Sequence, residues 1–206
     1  MNLGGGGCSE LRSCHCTPAW ATEQDSVSKK KKKKIITVMR QAVPEALGLC
    51  HALGISLAGV SDPIFGGRQT RWFDLPAYGN DLDACQKSNA SSAVLAIDNS
   101  RIREQVYRTL TDAGLDFPPV SGGYLGAEPA SGLFLQRLGN VSEGCILADG
   151  VRVNIGGSIM HECVVGRFVT IGPGAVVLGK VTLGDHCYIG ANATVLPGLS
   201  IGAGAL

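Results

Sequence analysis

From Leu135 to Ile201 every sixth residue is aliphatic: Leu135, Val141, Leu147, Val153, Ile159, Val165, Ile171, Val177, Leu183, Ile189, Val195 and Ile201. From Val141 on, the fourth residue after each is small or slim, as at Cys145, Gly157, Cys163, Ala175, Cys187 and Ala193. Two inward slots in a six-residue unit read as one short strand plus a turn. Three such units close a triangular coil whose strands stack in parallel about 4.8 Å from coil to coil. The pattern predicts a parallel β-helix, because an apolar residue at every sixth position does not follow one face of an α-helix. Aromatic rings are too wide for so thin a prism, and Phe168 and Tyr188 both fall outside the inward slots. Gly166, Gly172, Gly184, Gly190 and Gly202 each follow an aliphatic, at corners where a side chain would collide or φ must be unusual.

Upstream the period changes. Ile35 to Met39 reads as a buried strand, and Pro44 to Leu53 as a helix stopped by Gly54. Ser56 to Val60 reads as a second strand, with Ser61-Asp62-Pro63 as its exit turn. After a looser stretch come a third strand, Ala93 to Ile97, and a second helix, Ser100 to Ala113. Alternating strand and helix implies a small parallel sheet, an α/β domain of Rossmann-like βαβ type. The expected organisation is a disordered extension over 1–28, the α/β domain over 29–116, a Gly- and Pro-containing linker over 117–134 and the prism over 135–206.

Formal charge is +1, but Lys29 to Lys34 supply six of the eighteen basic residues. The rest of the chain is therefore acidic, so no nucleic-acid surface is implied, and the lysine run reads as a solvated flank. Apolar stretches fall short of the ~20 residues a membrane span needs, and no secretory signal opens the chain; the expectation is a cytoplasmic protein. Of eight cysteines, Cys14 and Cys16 flank His15 but lack a second pair at zinc-site spacing. Cys145 and Cys163 are one coil apart and should stack inside the prism as reduced core residues.

Small parallel sheets bind ligands where strand carboxyl ends meet helix N-termini, often through a glycine-rich first turn. Here that turn, Val38 to Pro44, has no glycine, and Arg40 is its candidate phosphate contact. In the prism, His161 takes the third place of its hexapeptide with its side chain outward and Glu162 next to it. An outward imidazole beside a carboxylate can act as a general base; position alone favours an ordinary surface histidine.

The run Ser158-Ile159-Met160-His161-Glu162-Cys163-Val164-Val165-Gly166, continued through Ile171-Gly172-Pro173-Gly174-Ala175, Val181-Thr182-Leu183-Gly184 and Ile201-Gly202-Ala203-Gly204-Ala205, resembles the sugar acetyltransferases. That group includes sialic acid O-acetyltransferases and the N-acetyltransferases of UDP-4-amino-sugars. Weaker matches lie at Lys33-Lys34-Ile35-Ile36, Gly59-Val60-Ser61-Asp62, and Ala96-Ile97-Asp98-Asn99 with Arg101-Ile102-Arg103. The resemblance implies a sugar-nucleotide-binding unit followed by a left-handed β-helix that forms a homotrimer and holds acetyl-CoA between subunits, with no metal.

It makes His161 the base and Glu162 its orienting partner, gives Gly179 and Thr170 to the coenzyme, Gly179 as oxyanion donor, and places Arg40, Asp62 and Asn99 on the side of the sugar or nucleotide-sugar acceptor. The family's glycine-histidine first loop is missing between Met39 and Pro44, Thr170 stands where relatives carry a second histidine, and the chain stops at Leu206 where relatives continue. Two alternatives remain: a non-catalytic trimeric scaffold, and a metal enzyme like the gamma-class carbonic anhydrases, which need three histidines where this prism has His161 and His186.

Overall fold

A computed structural model describes residues 34–40, 44–66 and 70–206. The expected extension 1–28, the Cys14-His15-Cys16 cluster, Lys29 to Lys33 and part of the first βα turn lie outside the described residues. Strand β1 (Ile35–Met39) is followed by helix α1 (Pro44–Ala52), strand β2 (Leu57–Ser61), strands β3 (Thr70–Trp72) and β4 (Leu75–Tyr78), helix α2 (Asp81–Ser88), strand β5 (Ser92–Ala96) and helix α3 (Ser100–Asp112). The sheet order is β3-β4-β2-β1-β5, parallel except for the edge strand β3. Chain order reverses on either side of β1, so the carboxyl ends of β1, β2 and β5 face the place where such sheets bind ligands.

Among the described residues, the stretch expected to be loose, between β2 and β5, instead holds β3, β4 and α2. Phe73 and Asp74 both sit at positive φ (47° and 59°), which lets a two-residue turn fold β3 back on β4. Asn80 caps α2 by accepting from Asp83 N–H at 3.0 Å, and Asn89 ends it in a left-handed conformation. The α2 sequence is polar and carries no long apolar run, so its cap and its acidic first turn are the only local signals it offers.

The prism starts earlier than its six-residue period does. Strands β6 (Val120–Ser121) and β7 (Tyr124–Leu125) pair in parallel with β8 (Phe134–Leu135) and β9 (Asn140–Val141), so residues read as a linker form a first coil. Ser121 lies opposite Leu135 and Leu125 opposite Val141, both nearer in the chain than a full turn of three hexapeptides. This coil is short, which breaks the period that marks the others. Beyond it every pairing joins residues one full coil apart, through β10 (Ile146–Leu147), β11 (Arg152–Val153), β12 (Ser158–Ile159), β13 (Val164–Val165), β14 (Thr170–Ile171), β15 (Val176–Val177), β16 (Thr182–Leu183), β17 (Tyr188–Ile189), β18 (Thr194–Val195) and β19 (Ser200–Ile201).

The inward slots form one core: Leu135, Val153, Ile159, Ile171 and Val177 are fully buried, with Cys145, Cys163 and Cys187 among them as free thiols. Every sixth residue from Gly132 to Gly204 turns a corner with φ between +55° and +73°. The glycines that follow the aliphatics occupy a different position. A Cβ on Gly166, Gly172 or Gly184 would come within 2.7 Å of a backbone nitrogen of the next coil, so collision rather than unusual φ selects glycine there, whereas a Cβ on Gly190 or Gly202 would meet nothing within 4 Å, and neither reason holds at those two.

The face built from β6, β8, β11, β14 and β17 carries the α/β layer. Arg103 of α3, 1% exposed, spans the junction. It donates to the carbonyl oxygens of Ile97 (2.7 Å) and Asp98 (2.8 Å) on one side, and to those of Gly150 (2.9 Å) and Phe168 (2.7 Å) and to Thr170 Oγ1 (2.9 Å) on the other. Burial, reinforced by neighbouring Arg152, pulls its pKa down to about 9. Arg152 donates to Asp98 Oδ1 at 2.7 Å and lies 4.8 Å from the Phe134 ring centroid. Phe168 leaves the prism for the same junction, where it packs edge-on against Tyr107 and flat against His186.

Replacing Arg103 by Met takes the donor from the buried carbonyls of Ile97, Gly150 and Phe168 and leaves Asp98 with one fewer cation, and is expected to cost about 3 kcal/mol in urea unfolding. A change within the ~0.5 kcal/mol of an ordinary surface substitution would show that the layers do not rely on this side chain. Burial pushes the Cys50 thiol up to about 11 from 9.0. The neutral thiol therefore contributes fully below pH 9, and that contribution drains as the pH rises towards 11, since the unfolded chain ionises first. Thermal unfolding should fall over this window less steeply in Cys50→Ala than in the wild type.

Candidate active site

His161 and Glu162 leave the corner between β12 and β13. Ile159 and Cys163 point inward and are fully buried, while His161 and Glu162 between them turn to solvent and Met160 is half-buried. The backbone here is fixed from coil to coil: Glu162 N–H donates to Glu143 O at 3.2 Å, Lys180 N–H to His161 O at 3.0 Å, and Gly198 N–H to Gly179 O at 3.0 Å. Glu162 Oε2 lies 3.1 Å from His161 Nδ1. An ionised carboxylate only accepts, so this contact places the imidazole proton on Nδ1 and leaves the Nε2 lone pair free.

The ring rests on Gly179, one coil further on. A Cβ at that position would sit 2.6 Å from both Cε1 and Nε2 of His161, which makes glycine a requirement of the ring's pose. Among the described residues the Gly179 N–H has no hydrogen-bond acceptor, so a donor lies free beside the imidazole edge. Lys180, whose importance the sequence does not signal, brings Nζ to 3.8 Å from the same Glu162 Oε2.

The residues assigned to the acceptor side gather at the strand carboxyl ends. Arg40, after β1, is paired with Asp81 at 2.7 Å, and Ser61 Oγ donates to the same carboxylate at 2.5 Å. Asp62, after β2, is buried and accepts from Ile64 N–H at 3.1 Å. Asn99, after β5, caps α3 by accepting from the N–H groups of Arg101 and Ile102, and with Asp98, Ser100 and Tyr188 it borders an open cavity of about 570 Å³. No hydrogen bond or ion pair among the described residues joins this group to His161 within one chain.

Thr170 departs from its expected coenzyme role. It is fully buried, and its hydroxyl is held between Arg103 and Asp98 O on the face that carries the α/β layer, away from the His161 corner. A threonine at this point of the prism anchors the junction and has no surface to offer a ligand. His186 stands at another corner, with Nε2 3.0 Å from Glu104 Oε2. Among the described residues no three His, Cys, Asp or Glu side chains gather as metal ligands, and no helix is long and apolar enough to cross a membrane.

Residues 162–197 match the family model described as bacterial transferase hexapeptide (six repeats). A search of curated protein sequences gives no match. Solved structures of the same architecture include a mutant of perosamine N-acetyltransferase from Caulobacter crescentus, in complex with CoA and GDP-perosamine. It is 22% identical, with a TM-score of 0.71 over 81% of this chain and 82% of that one. WeeI from Acinetobacter baumannii AYE is 24% identical, TM-score 0.70, over 83% and 90%. The acetyltransferase domain of PglB from Neisseria gonorrhoeae FA1090, in complex with acetyl coenzyme A, is 24% identical, TM-score 0.71, over 84% and 86%. At these identities the likeness is one of fold.

Gly179→Ala tests the site without any assay of activity. The added methyl should expel the imidazole from its place and break its contact with Glu162 while the prism stays folded. Histidine ring resonances in NMR spectra would report the displacement; a ring unmoved by the methyl would refute the close packing.

Proposed function

We propose that this protein is an acetyltransferase that moves the acetyl group of acetyl-CoA to an amine or hydroxyl of a sugar or nucleotide sugar. The observation that carries the reading is the His161 pose: Nδ1 anchored on Glu162, Nε2 open, and an uncommitted backbone donor at Gly179 beside it. The hexapeptide match and the fold shared with CoA-bound sugar N-acetyltransferases support it.

In this reading Nε2 of His161 takes the proton from the acceptor as its nitrogen or oxygen attacks the thioester carbonyl. Glu162 holds the ring and stabilises the imidazolium. The Gly179 N–H faces the oxygen on which charge develops. Collapse of the tetrahedral intermediate breaks the C–S bond, and the thiolate leaves with the proton held by the imidazolium. No covalent acyl-enzyme is needed.

The acceptor would lie towards Arg40, Asp62 and Asn99. Ile146 and Val164, 65% and 44% exposed on neighbouring strands, offer an apolar face for a second copy of the chain. A homotrimer would then complete each coenzyme groove, and acetyl-CoA supply sets the work in the cytoplasm. A non-catalytic scaffold is the second reading, favoured by the burial of Thr170.

His161→Ala decides between them. Acetyl transfer from acetyl-CoA to amino and hydroxyl sugars, free and nucleotide-linked, should fall about 10²- to 10⁴-fold when a general base is removed, with thermal unfolding unchanged. Equal rates in mutant and wild type would rule out His161 as the base; no transfer by the wild type to any acceptor would leave the scaffold.

A further inference from the structure

We infer that Lys180 is a positioning residue of the site, holding the Glu162 carboxylate in place for His161; the inference rests on the acetyltransferase reading for its catalytic consequence. Glu162 Oε2 lies between two cationic or donating groups, 3.1 Å from His161 Nδ1 and 3.8 Å from Lys180 Nζ. Its side chain is 58% exposed, so with His161 as sole partner the carboxylate would be free to swing into solvent. A second attraction from one coil away limits that swing and keeps Oε2 on the imidazole.

The backbone supports this assignment. Gly144, Glu162, Lys180 and Gly198 form one corner column, all at positive φ (73°, 59°, 61° and 71°). L side chains are strained there, and glycine relieves the strain. The column carries glycine above and below the pair and charged side chains at the two levels that meet at Oε2. Gly144 also leaves room beneath Glu162, since a Cβ there would lie 3.3 Å from Glu162 Cγ. The Lys180 N–H, donating to His161 O at 3.0 Å, fixes the height between the two turns, so the ammonium reaches the carboxylate without displacing the ring. Glu143, next to Gly144, accepts from the Tyr124 hydroxyl, and the ion pair that Lys180 makes is with Glu162.

Strain and function make opposite demands at residue 180, and Lys180→Gly separates them. The glycine variant should unfold at a higher temperature than the wild type, yet turn over about two- to fivefold more slowly, the range of an exposed ion pair, at unchanged KM for acetyl-CoA and acceptor. Lys180→Arg should restore most of the rate. Nitrogen-15 shifts of the His161 ring supply a readout that needs no turnover: the wild type should show the proton on Nδ1, and Lys180→Gly a mixture of both tautomers. Identical ring shifts in the two proteins would overturn the inference, as would a rise in KM at unchanged kcat, which would mean direct substrate contact. If the wild type transfers no acetyl group, the functional reading fails while the ring shifts still decide the role of Lys180.

Discussion

The junction between the α/β layer and the prism depends on one buried guanidinium. Arg103 donates to six oxygens drawn from both sides, two just past the end of β5 and four on prism residues in two successive coils. A charge in such a setting is tolerable only when every donor is placed, so the side chain forces α3 to start where Ile97, Asp98 and the prism wall converge. Arg152 and Thr170 complete the junction through Asp98. The carboxyl edge of the sheet, with Arg40, Asp62 and Asn99, takes its position relative to the prism from this contact.

Coil height does for the His161 corner what Arg103 does for the junction. His161 and Glu162 are adjacent in sequence, but the features that give them a defined pose come from the next coil. Gly179 provides the bed for the ring and Lys180 the second hold on the carboxylate. The site is thus a property of two stacked turns, neither of which would fix an imidazole alone.

The prism is legible because each hexapeptide sends one aliphatic and one slim residue into a single thin core, so two slots decide the fold. The first coil hides from that count because its strands pair with residues closer in the chain than a full turn. Helix α2 is hard to see because it buries little beyond Ala84, Cys85 and Ser88, and its cap is a local signal that apolar periodicity ignores. His161 and Glu162 are readable as an outward pair. Lys180 is not, since its partner lies a full coil away, and Thr170 is misassigned from sequence because position within a hexapeptide says which face a residue lies on, not what covers that face.

Stacked turns also limit how such a chain can change in length. An insertion of one whole turn between coils adds a storey and returns every side chain to its own face. A single inserted hexapeptide keeps the aliphatic count intact yet rotates all that follows by a third of a circumference. Placed between Glu162 and Gly179, the shorter insertion would leave the core sound and carry the glycine bed to a different wall, so the fold could persist in descendants whose corner no longer holds an imidazole.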